Sequence, residues 1–292
     1  MFLQQLINGV TIGSMYALVA IGYSMIFSVL QLINFSNGSM YMLGAYVALM
    51  LYLRLEGHFL LAFAGSLVIV GVIGYGVDRF ALRPLRKKKS NRMASLMSTF
   101  GVGIVIDNAI QLLFGSETKS FPNQLDFGSF SVGNAIVSWT QVLILLICSV
   151  LMAALSLVVY RTKAGRAMRS TAENVDAARL MGVDVKRVIS VTFVVSAVMA
   201  TVAGTLVSMY YRTVDLNMSA QVGMKTFAAA VLGGVGVLPG AMVGGLLIGI
   251  LEALGASYIS SGYRDAYAFM IMVLVLLIKP SGLLGRAASS KL

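Results

Sequence analysis

Long uninterrupted stretches of apolar residues constrain the fold of this chain more than any other feature. Several of them reach or approach the roughly 20 residues that an α-helix needs to cross the hydrocarbon core of a membrane. They lack the short alternating pattern of an outer-membrane β-barrel. Of the 292 residues, 58% are hydrophobic and only 11% are charged, which is far from the composition of a soluble domain. The sequence therefore predicts an all-α integral membrane protein, a polytopic helical bundle.

The apolar stretches predict about eight spans, one of them broken or re-entrant. Residues 1–292 form a single transmembrane domain in this interpretation. The first stretch has no basic N-terminal region and no cleavage site, so we expect it to be retained as the first span. The predicted spans are 4–31, 39–55, 59–80, 93–115, 139–160, 187–211, a broken segment at 221–256, and 265–279.

Basic residues fall in short segments between or after the spans. The net charge of +11 comes largely from the block Arg83 to Arg92, the segment 161–187 and the tail from Lys279 to Lys291. The positive-inside rule places these three segments and the C-terminus in the cytoplasm. Residues 116–138, 212–220 and 257–264 then lie outside, and so does the N-terminus if 39–55 crosses the membrane fully. This distribution explains the charge by membrane topology and lipid contact, so we expect no nucleic-acid partner.

Two breaks interrupt the apolar pattern in the two halves of the chain. Residues 221–256 must start and finish outside, yet they contain the helix-breaking GGVGVLPG, so we expect two half-helices. Broken backbone survives at membrane depth only beside protein or a water-filled cavity, and matching interruptions point to a translocation site. An ordinary turn between helices is the alternative for each break, and the orientation of the two halves stays open. The candidate path residues are Asn34, Ser36, Asn37, Ser39, Gly233, Gly234, Gly236, Pro239 and Gly240.

Within 161–187, helix-capping signals predict a short cytoplasmic helix at about 171–181. Ser170 and Glu173 have the spacing of a capping box. Gly182 fits the end of this helix, and Asp184 fits the start of the next span. The helix either lies on the anionic membrane surface or docks into a groove of a soluble partner. Small residues are predicted to form its contact surface between charged ones: Ala172, Val175, Ala177 and Ala178, flanked by Glu173, Asp176 and Arg179.

Catalytic and metal chemistry find no support in the sequence. No GxxxxGK[ST] phosphate loop is present. Cys148 and His58 are the only cysteine and histidine, which makes a Cys/His metal cluster and most hydrolytic constellations implausible. The chain is therefore not expected to be an enzyme or to hold a metal. The polar residues Asp107 and Asn108 lie inside the fourth span, and an ion-coupled carrier or a passive channel is the alternative that they leave open.

Three blocks of the sequence resemble the permease subunits of branched-chain amino acid ABC importers. They begin with GVTIGSMYALVAIGYSMIF at Gly9, YRTKAGRAMRSTAENVDAARLMGVDVKRV at Tyr160 and VLGGVGVLPGAMVGGLLIGILEAL at Val231. The segment Asp176-Ala177-Ala178, followed by Gly182, is similar to the permease loop that contacts the ATPase subunits. By this resemblance, the charged, capped segment contains the coupling helix.

The resemblance also implies an assembly in a bacterial-type inner membrane. Its partners would be a second, related permease subunit, two ATP-binding subunits and a periplasmic substrate-binding protein. ATP and Mg would be bound by the partner subunits, and this chain would hold no cofactor. Importers of urea and short amides share the same blocks, so the same architecture importing these molecules is the alternative.

Overall fold

The computed structural model describes residues 1–88, 91–122, 128–132 and 135–285. Parts of the first basic block and of the basic tail, residues 89–90 and 286–291, lie outside the described residues. The helices in the described part are α1 (Phe2–Leu30), α2 (Ser36–Arg54), α3 (Phe59–Gly76), α4 (Arg83–Lys87), α5 (Arg92–Phe114), α6 (Trp139–Arg161), α7 (Lys163–Glu173), α8 (Val175–Leu180), α9 (Val185–Tyr211), α10 (Met218–Gly233), α11 (Leu238–Tyr258) and α12 (Arg264–Ile278).

Helical turns and short strands connect these helices. A π-helical turn, Val77–Leu82, joins α3 to α4, and a 3₁₀ turn, Ser261–Tyr263, precedes α12. The strands are β1 (Lys119–Ser120), β2 (Ser129–Val132), β3 (Ala135–Ser138) and β4 (Thr213–Val214). β1 pairs with β4 and β2 pairs with β3, both antiparallel. The sheets are thus small and peripheral to a helical bundle.

Seven helical segments of the described chain are long and apolar enough to cross a membrane. They confirm the predicted polytopic all-α bundle. α2 and α10 are not among them, since α2 begins with the polar residues SNGS and α10 has only 16 residues. The seven segments are Phe2–Leu30, Phe59–Arg86, Arg92–Phe114, Trp139–Arg161, Val185–Tyr211, Leu238–Tyr258 and Ser261–Ile278.

Helix α1 lies in the centre of the bundle and packs backbone to backbone against α11. A Cβ atom added to Gly9 would lie 2.7 Å from the Cα of Ile250, and one added to Gly13 would lie 2.9 Å from the Cα of Leu246. On α11, Gly245 faces Ala17 in the same way. Small residues spaced by four let helices approach closely in lipid, where packing replaces the hydrophobic effect. The small-residue pattern of the sequence therefore sets the central helix pair.

The predicted break at 233–240 is confirmed as a turn between two helices. α10 ends at Gly233 and α11 begins at Leu238, with Gly234 and Gly236 at φ 110° and 85°. Pro239 lies in the first turn of α11, where its missing N–H leaves no helix hydrogen bond unmade. The C-terminal segment closes over this turn, since the backbone N–H of Leu283 donates to the carbonyl of Leu232 at 2.8 Å.

The bundle has two ends of different character. One, called here the basic end, carries α4, α7, α8 and the turn 234–237, and Gly236 and Arg169 line the same groove there. The other, called the opposite end, carries the N-terminus and both strand pairs. The side chain of Gln4 donates to the carbonyl of Ile136 at 2.9 Å across this end. The basic segments and the segments predicted to lie opposite them are therefore separated as the charge pattern indicates.

The predicted helix at 171–181 is wrong in its start. Ser170 and Glu173 belong to the last turns of α7, and the hydroxyl of Ser170 donates to the carbonyl of Ala167. No capping box forms between them. The cap of α8 is Asn174, whose extended backbone breaks the helix and whose side chain accepts from the N–H groups of Asp176 and Ala177, both at 3.0 Å.

The predicted end of this helix and the start of the next span are confirmed. Gly182 has φ 83°, in the left-handed region that favours glycine. The Asp184 side chain accepts from the N–H of Arg187 at 3.1 Å and caps α9. The chain thus passes from α8 into a long central span through a single tight turn.

Candidate coupling and translocation sites

Helix α8 and the turn after it present an exposed surface at the basic end. Leu180 and Met181 are 89% and 85% exposed. Beside them, Arg179 forms an exposed ion pair with Asp176 at 3.4 Å. Large apolar side chains exposed together at a helix end are typical of a surface that a partner covers. We call the following residues the α8 surface: Asp176, Ala177, Arg179, Leu180 and Met181.

Ala178 does not belong to the α8 surface, so the predicted small-residue surface is wrong at this position. Its side chain is 3% exposed and packs against this chain, and its carbonyl accepts from the N–H of Val183 at 3.0 Å. Ala172 and Val175 are half-buried. Sequence reasoning missed Leu180 and Met181, although two apolar residues directly before a capping glycine in a charged segment are a readable signal.

Helix α7 anchors the α8 surface to the bundle. The guanidinium of Arg169 donates to the carbonyl of Val159 near the end of α6 and lies 5.7 Å from the ring centroid of Tyr160. Met168 and Thr171 are buried on the bundle side of α7. α7 packs against α1, α6 and α9. Helix α7 therefore connects α8 to three helices of the bundle.

The buried carboxylate of Asp78 links α9 to the π-helical turn Val77–Leu82. Asp78 is fully buried, accepts from the hydroxyl of Ser190 at 2.6 Å, and pairs with Arg86 and, at 3.6 Å, with Arg83. Ser190 lies in the second turn of α9, close to where the chain leaves α8. Sequence reasoning missed Asp78, whose signal is a single acidic residue in an apolar span followed by arginines.

We expect Asp78→Ala to lower the stability of the protein by on the order of 3 kcal/mol, because it leaves two largely covered guanidinium groups without their counter-ion. The thermal unfolding midpoint of the purified protein in detergent measures this effect. Arg79→Ala is the matched control, since Arg79 is exposed on the same turn and its guanidinium donates to the hydroxyl of Tyr75 at 2.9 Å. Equal midpoints for the two variants would contradict a structural role of the Asp78 cluster.

The first set of predicted path residues is locked into helix packing. The Asn34 side chain accepts from the N–H and hydroxyl of Ser36, the first residue of α2, at 3.2 and 2.8 Å. Asn37 accepts from the hydroxyl of Ser196 at 2.9 Å and donates to the carbonyl of Val19. All these predicted side chains are at most 4% exposed. Their place in a path stays a prediction.

The structure does not bring the two breaks together. Gly236 packs against Ser28 at the basic end of α1. Asn37 reaches Val19 on the same helix, nine residues earlier and so about 13 Å away along its axis. Gly233 and Gly240 face each other where α10 and α11 cross, and Gly234 packs against Gly285. The glycines of this break are thus used for close backbone packing.

A groove between α1, α2, α5 and α10 is lined by members of two predicted groups, the candidate path residues and the intramembrane polar residues. It has a volume of about 190 Å³ and includes Ser39 and Asp107 in its lining. The Asp107 carboxylate accepts from the hydroxyl of Ser219 at 3.0 Å, at the N-terminus of α10. Asn108 is exposed and donates to the carbonyl of Ile104 in its own helix. Asp107 is therefore held against a helix end, and the groove is partly polar.

A larger cavity, about 440 Å³, lies at the opposite end between α1, α9, α10, α11 and α12. Lys225 and Glu252 are 5% and 1% exposed and form an ion pair at 3.0 Å. Arg264 and Asp265, at the start of α12, join them at 2.7 and 2.6 Å. Buried charges must be paired, which this cluster achieves by joining three helices. Sequence reasoning missed Lys225, although a lysine inside VGMKTFAAAV is a clear signal.

The chain is similar to known transport proteins over almost its whole length. The family described as the branched-chain amino acid transport system permease component matches residues 5–278. The high-affinity branched-chain amino acid transport system permease protein BraD of Pseudomonas aeruginosa is 40% identical, over 99% of this chain and 98% of its own. The corresponding LivH protein of Escherichia coli K12 is 41% identical, over 99% of this chain and 97% of its own.

A solved structure agrees with the fold at much lower identity. PsaBC from Streptococcus pneumoniae, in complex with Fab, matches with a TM-score of 0.51 and 13% identity, over 96% of this chain and 93% of that chain. At this identity the match speaks for the fold alone. The family match and the two relatives, in contrast, cover the three blocks beginning at Gly9, Tyr160 and Val231. This chain therefore belongs to the family of branched-chain amino acid ABC transport system permeases.

Proposed function

We propose that this chain carries branched-chain amino acids across the membrane as one permease subunit of an ATP-driven importer. The observation that supports this most is the α8 surface, an exposed apolar turn on a capped helix that is anchored to the bundle by α7. A chain without a phosphate loop needs such a surface to receive work from separate ATPases. The names of the relatives BraD and LivH support the substrate class.

The proposed orientation follows the charge of the two ends. The basic end faces the cytoplasm of a bacterial-type cell, according to the positive-inside rule. The opposite end then faces the side from which a substrate-binding protein delivers its ligand. The remaining partners are a second homologous permease and two ATPase subunits, which bind ATP and Mg, and this chain holds no cofactor. Import of urea or short amides by the same architecture is the alternative.

The described contacts suggest how a movement at α8 reaches the substrate path. Docking at Leu180 and Met181 moves α8 and, through α7, the ends of α1 and α6. The tight turn at Gly182 joins α8 directly to α9. The Asp78 cluster then links α9 to the π-helical turn after α3. In this mechanism, the helices around the central bundle respond to the ATPases as a connected set.

Co-purification tests the proposal. The tagged chain is extracted from its native membrane in mild detergent, and its partners are identified by mass spectrometry. We expect two ATPases and a second permease with the wild-type chain, and loss of the ATPases in Leu180→Asp/Met181→Asp. Ile136→Asp is the matched control, because Ile136 is also an exposed apolar residue but lies at the opposite end. Recovery of the chain alone, or as a homo-oligomer in all variants, would contradict the proposal.

The substrate is tested through the binding protein encoded with these partners. We expect it to bind leucine, isoleucine and valine in a calorimetric titration. Binding of urea or short amides instead would keep the architecture and replace the substrate class.

A further inference from the structure

The charged cavity at the opposite end has the size and the mixed lining of a small-molecule site. Its volume of about 440 Å³ lies within the range of about 300–1,000 Å³ that is usual for ligand pockets. Because Arg264 and Asp265 are partly exposed, the cavity is reached from the opposite end. Its lining combines charged side chains, Asp215, Lys225, Glu252, Arg264 and Asp265, with apolar ones, Ile12, Val207, Met218 and Val222.

Glu252 uses its two carboxylate oxygens unequally. Oε1 accepts from Lys225 at 3.0 Å, from Arg264 at 2.7 Å and from the hydroxyl of Tyr16 at 3.5 Å. Oε2 is covered and has no hydrogen-bond partner among the described residues. A buried carboxylate oxygen without a donor is unfavourable, and a purely structural ion pair would be expected to satisfy both oxygens. The cluster therefore contains one acceptor without a donor in the described part of the chain, and a ligand can donate to it once the Glu252 carboxylate turns toward the cavity.

Lys225 holds a partner that can be exchanged. Its ammonium contacts Asp265 at 2.6 Å, but the Asp265 side chain is 56% exposed whereas that of Lys225 is only 6% exposed. Asp265 can turn into water at little cost, while Lys225 cannot. Another carboxylate can thus replace that of Asp265 on Lys225 without changing the number of paired charges.

We infer that this cavity binds the zwitterionic head group of an α-amino acid, whose ammonium donates to Glu252 Oε2 and whose carboxylate replaces Asp265 on Lys225. This inference rests on the proposed function and names the site where the substrate pauses in this chain. Lys225 and Glu252 lie side by side, as the two charges of the ligand do. The ligand carries no net charge, so its binding adds none to a partly buried site. The apolar lining residues would contact the aliphatic side chain.

Competition by Asp265 keeps this site weak. An importer that receives its substrate from a binding protein needs only brief retention, because a tight site in the permease would trap the molecule. The rim carboxylate provides a competing ligand that returns to Lys225 after the substrate leaves.

Uptake of radiolabelled L-leucine by the complete transporter in proteoliposomes distinguishes a substrate-binding role of the Lys225–Glu252 pair from a purely structural role. The decisive variant is Lys225→Met/Glu252→Gln, which removes one positive and one negative charge together. If the pair is only structural, the double variant folds and transports, because it keeps the net charge and because Arg264 and Asp265, which lose their partners, are 36% and 56% exposed and can be hydrated. If the pair binds substrate, the complex assembles with an unchanged unfolding midpoint but uptake falls at least about tenfold. Normal uptake in this variant would overturn the inference.

Cysteine labelling measures binding in the permease without the binding protein. Ser261→Cys is placed at the cavity in a Cys148→Ala background, and Ile136→Cys is the control outside it. We expect L-leucine to slow maleimide labelling at 261 alone, and neither 4-methylpentanoate nor isopentylamine, which are leucine without its amino group and without its carboxylate, to do so. Asp265→Asn should lower the leucine concentration that gives half-protection. Equal protection by all three compounds, or by none, would overturn the inference.

The two readouts also distinguish this inference from the proposed function. Wild-type proteoliposomes that take up no leucine, while leucine still protects position 261, would contradict the proposed function and leave the site. Normal leucine uptake without protection would contradict the site and leave the function.

Discussion

Replacing Gly249 with leucine is expected to prevent this chain from forming a stable bundle. An added Cβ at Gly249 would overlap the backbone of Gly13 and lie 2.7 Å from the carbonyl oxygen of Gly9. Neither atom can move away, because both belong to the backbone of the central helix α1. We expect a loss of more than about 3 kcal/mol, at the upper end of overpacking effects, because backbone and not a side chain must shift.

The yield and thermal unfolding midpoint of the detergent-solubilised protein measure this loss. Gly101→Leu is the matched control, since no described atom outside its own helix lies within 4 Å of an added Cβ in α5. We expect Gly101→Leu to insert and to unfold as the wild type does. A similar midpoint for both variants would show that the bundle does not depend on the close backbone contact between α1 and α11.

Gly182→Val is expected to abolish transport while leaving the bundle folded. Gly182 has φ 83°, and a β-branched residue in the left-handed region costs about 1–2 kcal/mol. The turn would relax toward another conformation and move Leu180 and Met181 out of place. Because Gly182 is exposed and no described atom lies within 4 Å of an added Cβ, the effect is confined to the backbone of the turn.

Leucine uptake and ATPase activity of the reconstituted transporter measure this coupling. We expect both to fall more than tenfold in Gly182→Val, with an unchanged unfolding midpoint. Gly182→Asn is the matched control, since asparagine tolerates the left-handed region, and it should retain most of the uptake. Normal uptake in Gly182→Val would favour the alternative that α8 lies on the membrane surface.

The spans, and a face of α1 suited to close packing, could be predicted because both depend on local sequence patterns, whereas the pairing of this face with α11 is seen only in the fold. Apolar length alone locates a span, and the spacing of Gly9, Gly13 and Ala17 identifies a face for close packing. Gly182 and Asp184 were also predictable, since each acts on backbone groups within a few residues of itself. These features need no knowledge of the rest of the fold.

The start of α8 and the charged cavity could not be predicted in the same way. Ser170 and Asn174 are both good capping residues, and the anchoring of α7 to α6 decides between them by extending α7 past Ser170. Which side of α8 faces the bundle, and thus buries Ala178, depends on the same packing. Lys225, Glu252 and Asp265 come from three helices and meet only in the folded chain.

The charged cavity is bounded on one side by the closely packed pair α1 and α11 and on another by the exposed start of α12. Tyr16 and Glu252 lie on these two helices, whose backbones are in direct contact through glycines. Arg264 and Asp265 instead lie at the first turn of α12, next to a short 3₁₀ turn and partly in water. A ligand in this cavity would thus contact Glu252 on a closely packed helix pair, and Arg264 and Asp265 on the water-exposed first turn of α12.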